Sequence, residues 1–403
     1  MLTKLDRVAV ACLLLSPVFL LHGRAIADAL FVVVSLCFLA RCYLARDWGW
    51  LRRGWVPFGI AWWGWLVLCS FHGGFAQAVV AVRYLVFVAA LEHWVLRLDW
   101  RRLWMSRLLA VAALYIAFQT MLQLVTGRNI QGFRRWGDGE LTGPFLHPRA
   151  GAPLSRLLFP AVLPLMGRLH RWAGLALLVA SVLVMVLIGQ RMPLLLTVLG
   201  LLVTALLLPR LRTGVLAACA GGVLLVAASA VVVPPTFHRL VDKFSTQMEH
   251  FPESPYGQIA WRAAVMIKAH PLTGLGFDGF RRGCANPAYD IGYHGGTGGG
   301  ASVCVQHPHN HYLQAGVEAG YPGLILFSAL VLSWLWPLAR GLWRDPAPLR
   351  VGLFVAALIQ EWPIASTSDL LSMPLSGWFF LMLGLGLAEA RAYMSARTAV
   401  RGV

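Results

Sequence analysis

The chain has 403 residues, of which 58% are hydrophobic and 13% charged, with a mean hydropathy of +0.67. That leaves too little polar surface to cover a soluble body of this length. Apolar runs of about 17–22 residues recur, the length that crosses a hydrocarbon core, and their continuity excludes the alternation of a β-barrel. The net charge of +17 would suit a nucleic-acid partner, but the basic residues fall in short loops between apolar runs, as membrane topology demands. No nucleic-acid partner is expected.

In chain order, helical spans are expected near 7–22, 25–44, 55–71, 74–95, 104–125, 153–168, 172–190, 192–208, 213–233, 311–338, 349–364 and 373–391, about twelve in all. The first run has no small-x-small cleavage site and leads at once into another span, so it reads as a retained helix. With the N-terminus inside, the loops assigned to the cytoplasm carry Arg46, Arg52 and Arg53; Arg97, Arg101 and Arg102; Arg168 and Arg171; Arg210 and Arg212; and Arg340, Arg344 and Arg350. The tail adds Arg391, Arg397 and Arg401. Both termini are therefore expected in the cytoplasm. The expected fold class is all-α, a polytopic integral membrane protein. Residues 1–233 carry nine spans with a short external segment near 127–152. Residues 234–310 form an external loop domain, and residues 311–403 carry the last three spans and the tail.

The loop domain contains an amphipathic stretch, "YGQIAWRAAVMIKAH", then "PLTGLGFDGFRRG" and the Gly-rich "GGTGGG". With Ile259 and Met266 at helical spacing, the amphipathic stretch is expected to turn an apolar side to the membrane. Of the seven cysteines, Cys284 and Cys304 lie in this loop and are the disulfide candidates in an oxidising compartment.

At the loop's end stands "HPHNHYLQAGVEAGYPG". A neutral imidazole at His309 suits proton abstraction from a hydroxyl. Asn310 is placed to fix an orientation or bind a sugar hydroxyl, with His311, Glu318, Gly320 and Gly323 following. No acidic cluster completes a metal site around the three histidines, so no metal is expected. Arg191, in the tight external turn "GQRMPLLL", would offer a planar fork to phosphate. Arg262 on the amphipathic stretch is the candidate second cation, with Lys268, Arg281 and Arg282 as looser alternatives. Arg83 lies within the fourth span, and its partner is expected to be Glu318, Asp369 or a ligand phosphate. Asp369 and Glu361 flank the last external loop, where Asp369 would orient the imidazole, bind acceptor sugar or cap the last helix. A carboxylate close to His309 would raise its proton affinity.

Together these segments resemble the O-antigen ligase and polymerase superfamily. The resemblance rests on His309-Asn310, nine residues and Gly320-x-x-Gly323. It is strengthened by the Arg-containing helix leading into "PLTGLGFDGF", by "GQRMPLLL", and by "TGPFLHPRAGAPL", where "HPR" departs from the Asn that many relatives carry after Pro. It implies a C-type glycosyltransferase of the bacterial inner membrane with a periplasmic active site. The donor would be a glycan on undecaprenyl pyrophosphate, and the acceptor a sugar hydroxyl of lipid A–core. His309 would be the catalytic base, Arg191 and Arg262 would hold the pyrophosphate, and no cofactor is implied. Fixed cations suffice to neutralise a pyrophosphate leaving group, and attack opposite it would invert the anomeric centre. An apolar groove for the polyprenyl tail is expected beside Arg191.

Three alternatives stand beside the ligase. An O-antigen polymerase would use a second lipid-linked repeat as acceptor. A protein O-oligosaccharyltransferase often carries a further soluble C-terminal region, whereas about a dozen residues follow the last expected span here. A lipid-linked glycan transporter would use the same arginines and would not need His309.

Overall fold

The structure, a computed structural model, describes residues 1–137, 139–166, 168–289 and 304–401. The Gly-rich "GGTGGG" lies outside the described residues. Every expected apolar segment falls on a helix. In order these are α1 (Leu2–His22), α2 (Arg24–Ala45), α3 (Val56–Cys69), α4 (Phe75–Val80), α5 (Val82–Ala90), α6 (Asp99–Thr126), α7 (Gly151–Met166), α8 (Arg171–Ile188), α9 (Arg191–Leu207) and α10 (Arg212–Val232). The loop domain contributes α11 (Pro234–Phe237), α12 (Lys243–Glu249), α13 (Pro255–Ala269) and α14 (Gly279–Gly283). The last three long helices are α15 (His311–Ala339), α16 (Pro348–Gln360) and α17 (Leu375–Arg401).

Among the described residues, seven helical stretches are long and apolar enough to cross a membrane, and four shorter apolar helices accompany them. This is a helical membrane protein. The expected fourth span is one helical stretch, Phe75–Val95, in which Ala81 joins α4 to α5 with helical dihedrals (φ −59°, ψ −23°) and a π turn closes Leu91–Val95.

Local chemistry sets several boundaries. Glycines in the left-handed region end α6 (Gly127, φ 79°) and α8 (Gly189, φ 75°), a conformation that costs a residue without Cβ little. The α13 entry combines Ser254, whose Oγ accepts from the Gly257 amide at 3.1 Å, with Pro255 in the first helical position.

Helix α17 is the buried axis of the bundle, with Trp378, Phe379, Phe380 and Leu381 all 3% exposed or less. It packs on α16, α15 and α5. Lipid tails are as apolar as leucine, so close backbone approach rather than water exclusion drives helix association in a bilayer. Helices α7 and α16 approach in this way. A Cβ on Gly352 would stand 2.7 Å from the Phe159 carbonyl oxygen.

The apolar side of α13 does not face the membrane, contrary to expectation. Ile259, Ala263, Met266 and Ile267 are buried with Phe280, Tyr289 and Val317 in a small second core, which packs α13 on the first turns of α15.

Candidate active site

The site is assembled where α15 begins. Asn310 is its N-cap. Its Oδ1 accepts from the Tyr312 and Leu313 amides, each at 3.0 Å. Its Nδ2 donates to the carbonyls of Pro363 (2.7 Å) and Ala365 (3.2 Å). Both ends of the amide are thus engaged in fixing the helix start against the 361–374 loop.

His309 immediately precedes this cap, with φ at 55°. Its carbonyl accepts from the Thr367 amide at 2.7 Å, and its Nδ1 lies 3.3 Å from the Thr367 carbonyl oxygen. A carbonyl only accepts, so Nδ1 carries the proton and Nε2 presents its lone pair. The ring is edge-on to His307 (4.4 Å between centroids) and to Tyr256 of α13 (5.8 Å). Burial lowers the proton affinity of His309 below the usual 6.5, opposed by the Thr367 carbonyl. The direction is opposite to that expected from a neighbouring carboxylate.

The carboxylates do other work. Glu361 holds His311, with its oxygens 2.9 and 3.1 Å from Nδ1, while Nε2 of His311 faces the Ser368 carbonyl at 2.9 Å. Both nitrogens thus have a partner in the 361–374 loop. His311 and Glu361 are 4% and 3% exposed, a buried pair that ties α15 to the loop. Asp369 does not orient His309. Its Oδ1 accepts from Gln314 (3.1 Å) and from the Leu371 amide (2.8 Å). Glu318 accepts from Gln314 and from the Asp278 amide, both at 3.1 Å. Arg83 pairs with neither Glu318 nor Asp369. Its partner is Asp28 of α2 at 2.9 Å, and Tyr84 lies beneath its guanidinium at 4.4 Å. Residue 28 precedes residue 83 by two helices, so the pairing had no signal in local spacing.

Arg191 opens α9 and donates to the Gln247 side chain and, at 3.4 Å, to the Lys243 carbonyl. Nearby, Arg239 pairs with Glu140. Arg262 is 2% exposed, with Nη1 on the Cys284 carbonyl at 2.6 Å. The Cys284 and Cys304 sulfurs are joined, with Cα atoms 5.6 Å apart. Among the looser candidates, Arg282 is engaged with the Phe277 and Leu275 carbonyls, and Arg281 lies near Asp278 at 3.8 Å. Among the described residues no group of three or more His, Cys, Asp or Glu side chains is arranged to hold a metal ion.

Two cavities flank the start of α9. One, of about 260 Å³, is walled by α8, α9 and α10 and lined by apolar side chains from Leu194 and Leu201 to Val223 and Val226. The other, of about 50 Å³, lies between α7, α9, α17 and the Ser366–Ser368 strand of loop. Arg156 and Thr367 line it, and sequence reasoning passed over both. Arg156 sits in an apolar stretch that reads as helix interior, and nothing in its spacing ties it to residue 367.

Residues 176–328 match the family model described as O-Antigen ligase. The match runs from α8 into α15 and includes Arg191, Arg262, His309, Asn310, Gly320 and Gly323. Over this segment the chain is similar to that family. No curated protein matches the chain.

Proposed function

We propose that this chain is an O-antigen ligase, which transfers a glycan from undecaprenyl pyrophosphate to a sugar hydroxyl of lipid A–core, at the periplasmic face of the bacterial inner membrane. The observation that carries the reading is the His309 tautomer. The Thr367 carbonyl holds the Nδ1 proton, which leaves Nε2 as base beside the open end of α15. Burial keeps the ring neutral before reaction. The same carbonyl then accepts from the imidazolium formed when the acceptor hydroxyl gives up its proton. The hydroxyl oxygen attacks the anomeric carbon as the bond to pyrophosphate breaks, with inversion. Arg191 supplies positive charge to the leaving group without a metal. The apolar cavity starting three residues further on, at Leu194, fits the polyprenyl chain.

The test is transfer by the purified chain in detergent, with lipid-linked glycan, lipid A–core and EDTA, read by gel mobility of the product. Wild type is expected to form ligated lipopolysaccharide, and His309→Ala is expected to lose at least about 100-fold in rate, the usual contribution of a positioned base. A fully active His309→Ala would sink the mechanism. Extension of the lipid-linked glycan without ligation would identify a polymerase, and transport that survives His309→Ala a transporter.

A further inference from the structure

We infer that Arg156, together with Thr367, forms a second oxyanion subsite beside His309, one that takes a phosphate group of the lipid-linked donor. The inference rests on the transferase reading for the identity of that donor.

Arg156 is 4% exposed. Its Nη1 donates to the Ala152 carbonyl at 2.7 Å and the Ser155 hydroxyl at 2.9 Å. Its Nε has no hydrogen-bond partner among the described residues, and Thr367 Oγ1 is likewise buried without one. No carboxylate among the described residues forms a salt bridge with Arg156. Glu361 is close enough to act on it electrostatically, but both Glu361 oxygens are engaged by His311. A guanidinium buried this deeply is costly unless an anion meets it.

The place of the cleft supplies the ligand's chemistry. At about 50 Å³ it exceeds the roughly 10–15 Å³ that one water needs, so it has room for a small polar head. Its polar wall is Arg156, Gln360 and residues 366–368, and its other wall is apolar, with Trp378, Phe379 and Met382. A group at the junction of a charged head and an apolar chain matches both walls. Thr367 is the residue whose carbonyl holds His309, so an oxyanion here lies one residue's width from the base. On α9, Pro193 lines this cleft while Leu194 lines the apolar cavity. Successive residues after Arg191 therefore face the phosphate and the lipid chain. Arg156 lies outside the segment matched to the family and takes the place expected for Arg262, which is buried against Cys284.

The test is binding of glycan-free undecaprenyl pyrophosphate to the purified protein in detergent, read by tryptophan fluorescence, since Trp378 lines the cleft. Inorganic pyrophosphate serves as competitor. Arg156→Gln is expected to weaken binding at least tenfold, Arg156→Lys less, and the exposed Arg281→Gln not at all. Thr367→Val keeps the charge and removes the hydroxyl, and a several-fold loss is expected. Wild-type affinity in a folded Arg156→Gln variant overturns the inference. Should that variant fail to fold, unchanged affinity in Thr367→Val overturns it instead. Arg156-dependent binding in a wild type that transfers no glycan upholds the subsite and removes the proposed reaction. Transfer by wild type with Arg156-independent binding does the reverse.

Discussion

His309 occupies the left-handed region at φ 55°, a conformation that costs a residue with a Cβ roughly 1–2 kcal/mol. Hydrogen bonds from both sides of Thr367 hold it there. Burial pushes His307 down to about 3, aided by His309 and His311, and lowers His309 in the same direction. Each ring binds a proton more weakly folded than unfolded. Their contribution to stability is therefore present above the ordinary value of 6.5 and is lost as pH falls below it. The acid limb of kcat/KM should accordingly lie below the range of a free imidazole, and a pH–rate profile with its acid limb at or above 6.5 would contradict the buried neutral base. Asn310→Ala removes a helix cap and both bonds to the 361–374 loop. A loss of about 1–2 kcal/mol is expected in thermal unfolding in detergent, with a fall in activity from the misplaced His309. The His-Asn pair was legible because the two residues are adjacent and open an apolar run. Their division of labour was not, since it depends on carbonyls more than fifty residues away.

At the scale of elements, α15 is where sequence motif and geometry meet most closely. The helix is interrupted at Ala319 and Gly320, the latter at φ 66° and ψ −166°, a region essentially reserved for glycine. The loop 270–279 fills the gap. Leu275 and Gly276 donate to the Val317 and Glu318 carbonyls at 2.7 and 2.9 Å, and Tyr321 donates to the Pro271 carbonyl at 2.8 Å. A Cβ on Gly320 would meet that same Pro271 carbonyl oxygen at 2.5 Å, and one on Gly274 the Ala319 amide nitrogen at 2.5 Å. The glycines of "PLTGLGFDGF" and "EAGYPG" are thus the two halves of one joint. Gly320→Ala should cost about 3 kcal/mol or more. Hydrogen exchange should show the Leu275 and Gly276 amides losing protection, whereas unchanged protection would mean that the joint tolerates a side chain. The helices themselves were legible from apolar run length. The π turn over Leu91–Val95 was not, because apolar composition is unchanged across it.

For the whole molecule, the expected topology puts the loop domain outside and the loop between α15 and α16 inside. In a cysteine-free background, Arg281→Cys should label from the periplasm in intact cells and Arg344→Cys should not; the reverse pattern would invert the chain in the membrane. Basic loops carry this expectation in the sequence, whereas the cleft around Arg156 was hidden because it is built from α7, α9, α17 and a loop together. The joint at Gly320 also bears on how such chains diversify. Residues 271–278 supply backbone partners that α15 itself lacks, and Tyr256 of the same loop domain touches His309. Recombination between relatives can then exchange the loop domain and α15 as one cassette but not separately. Any preference for a glycan written into the loop is inherited together with the helix that follows His309.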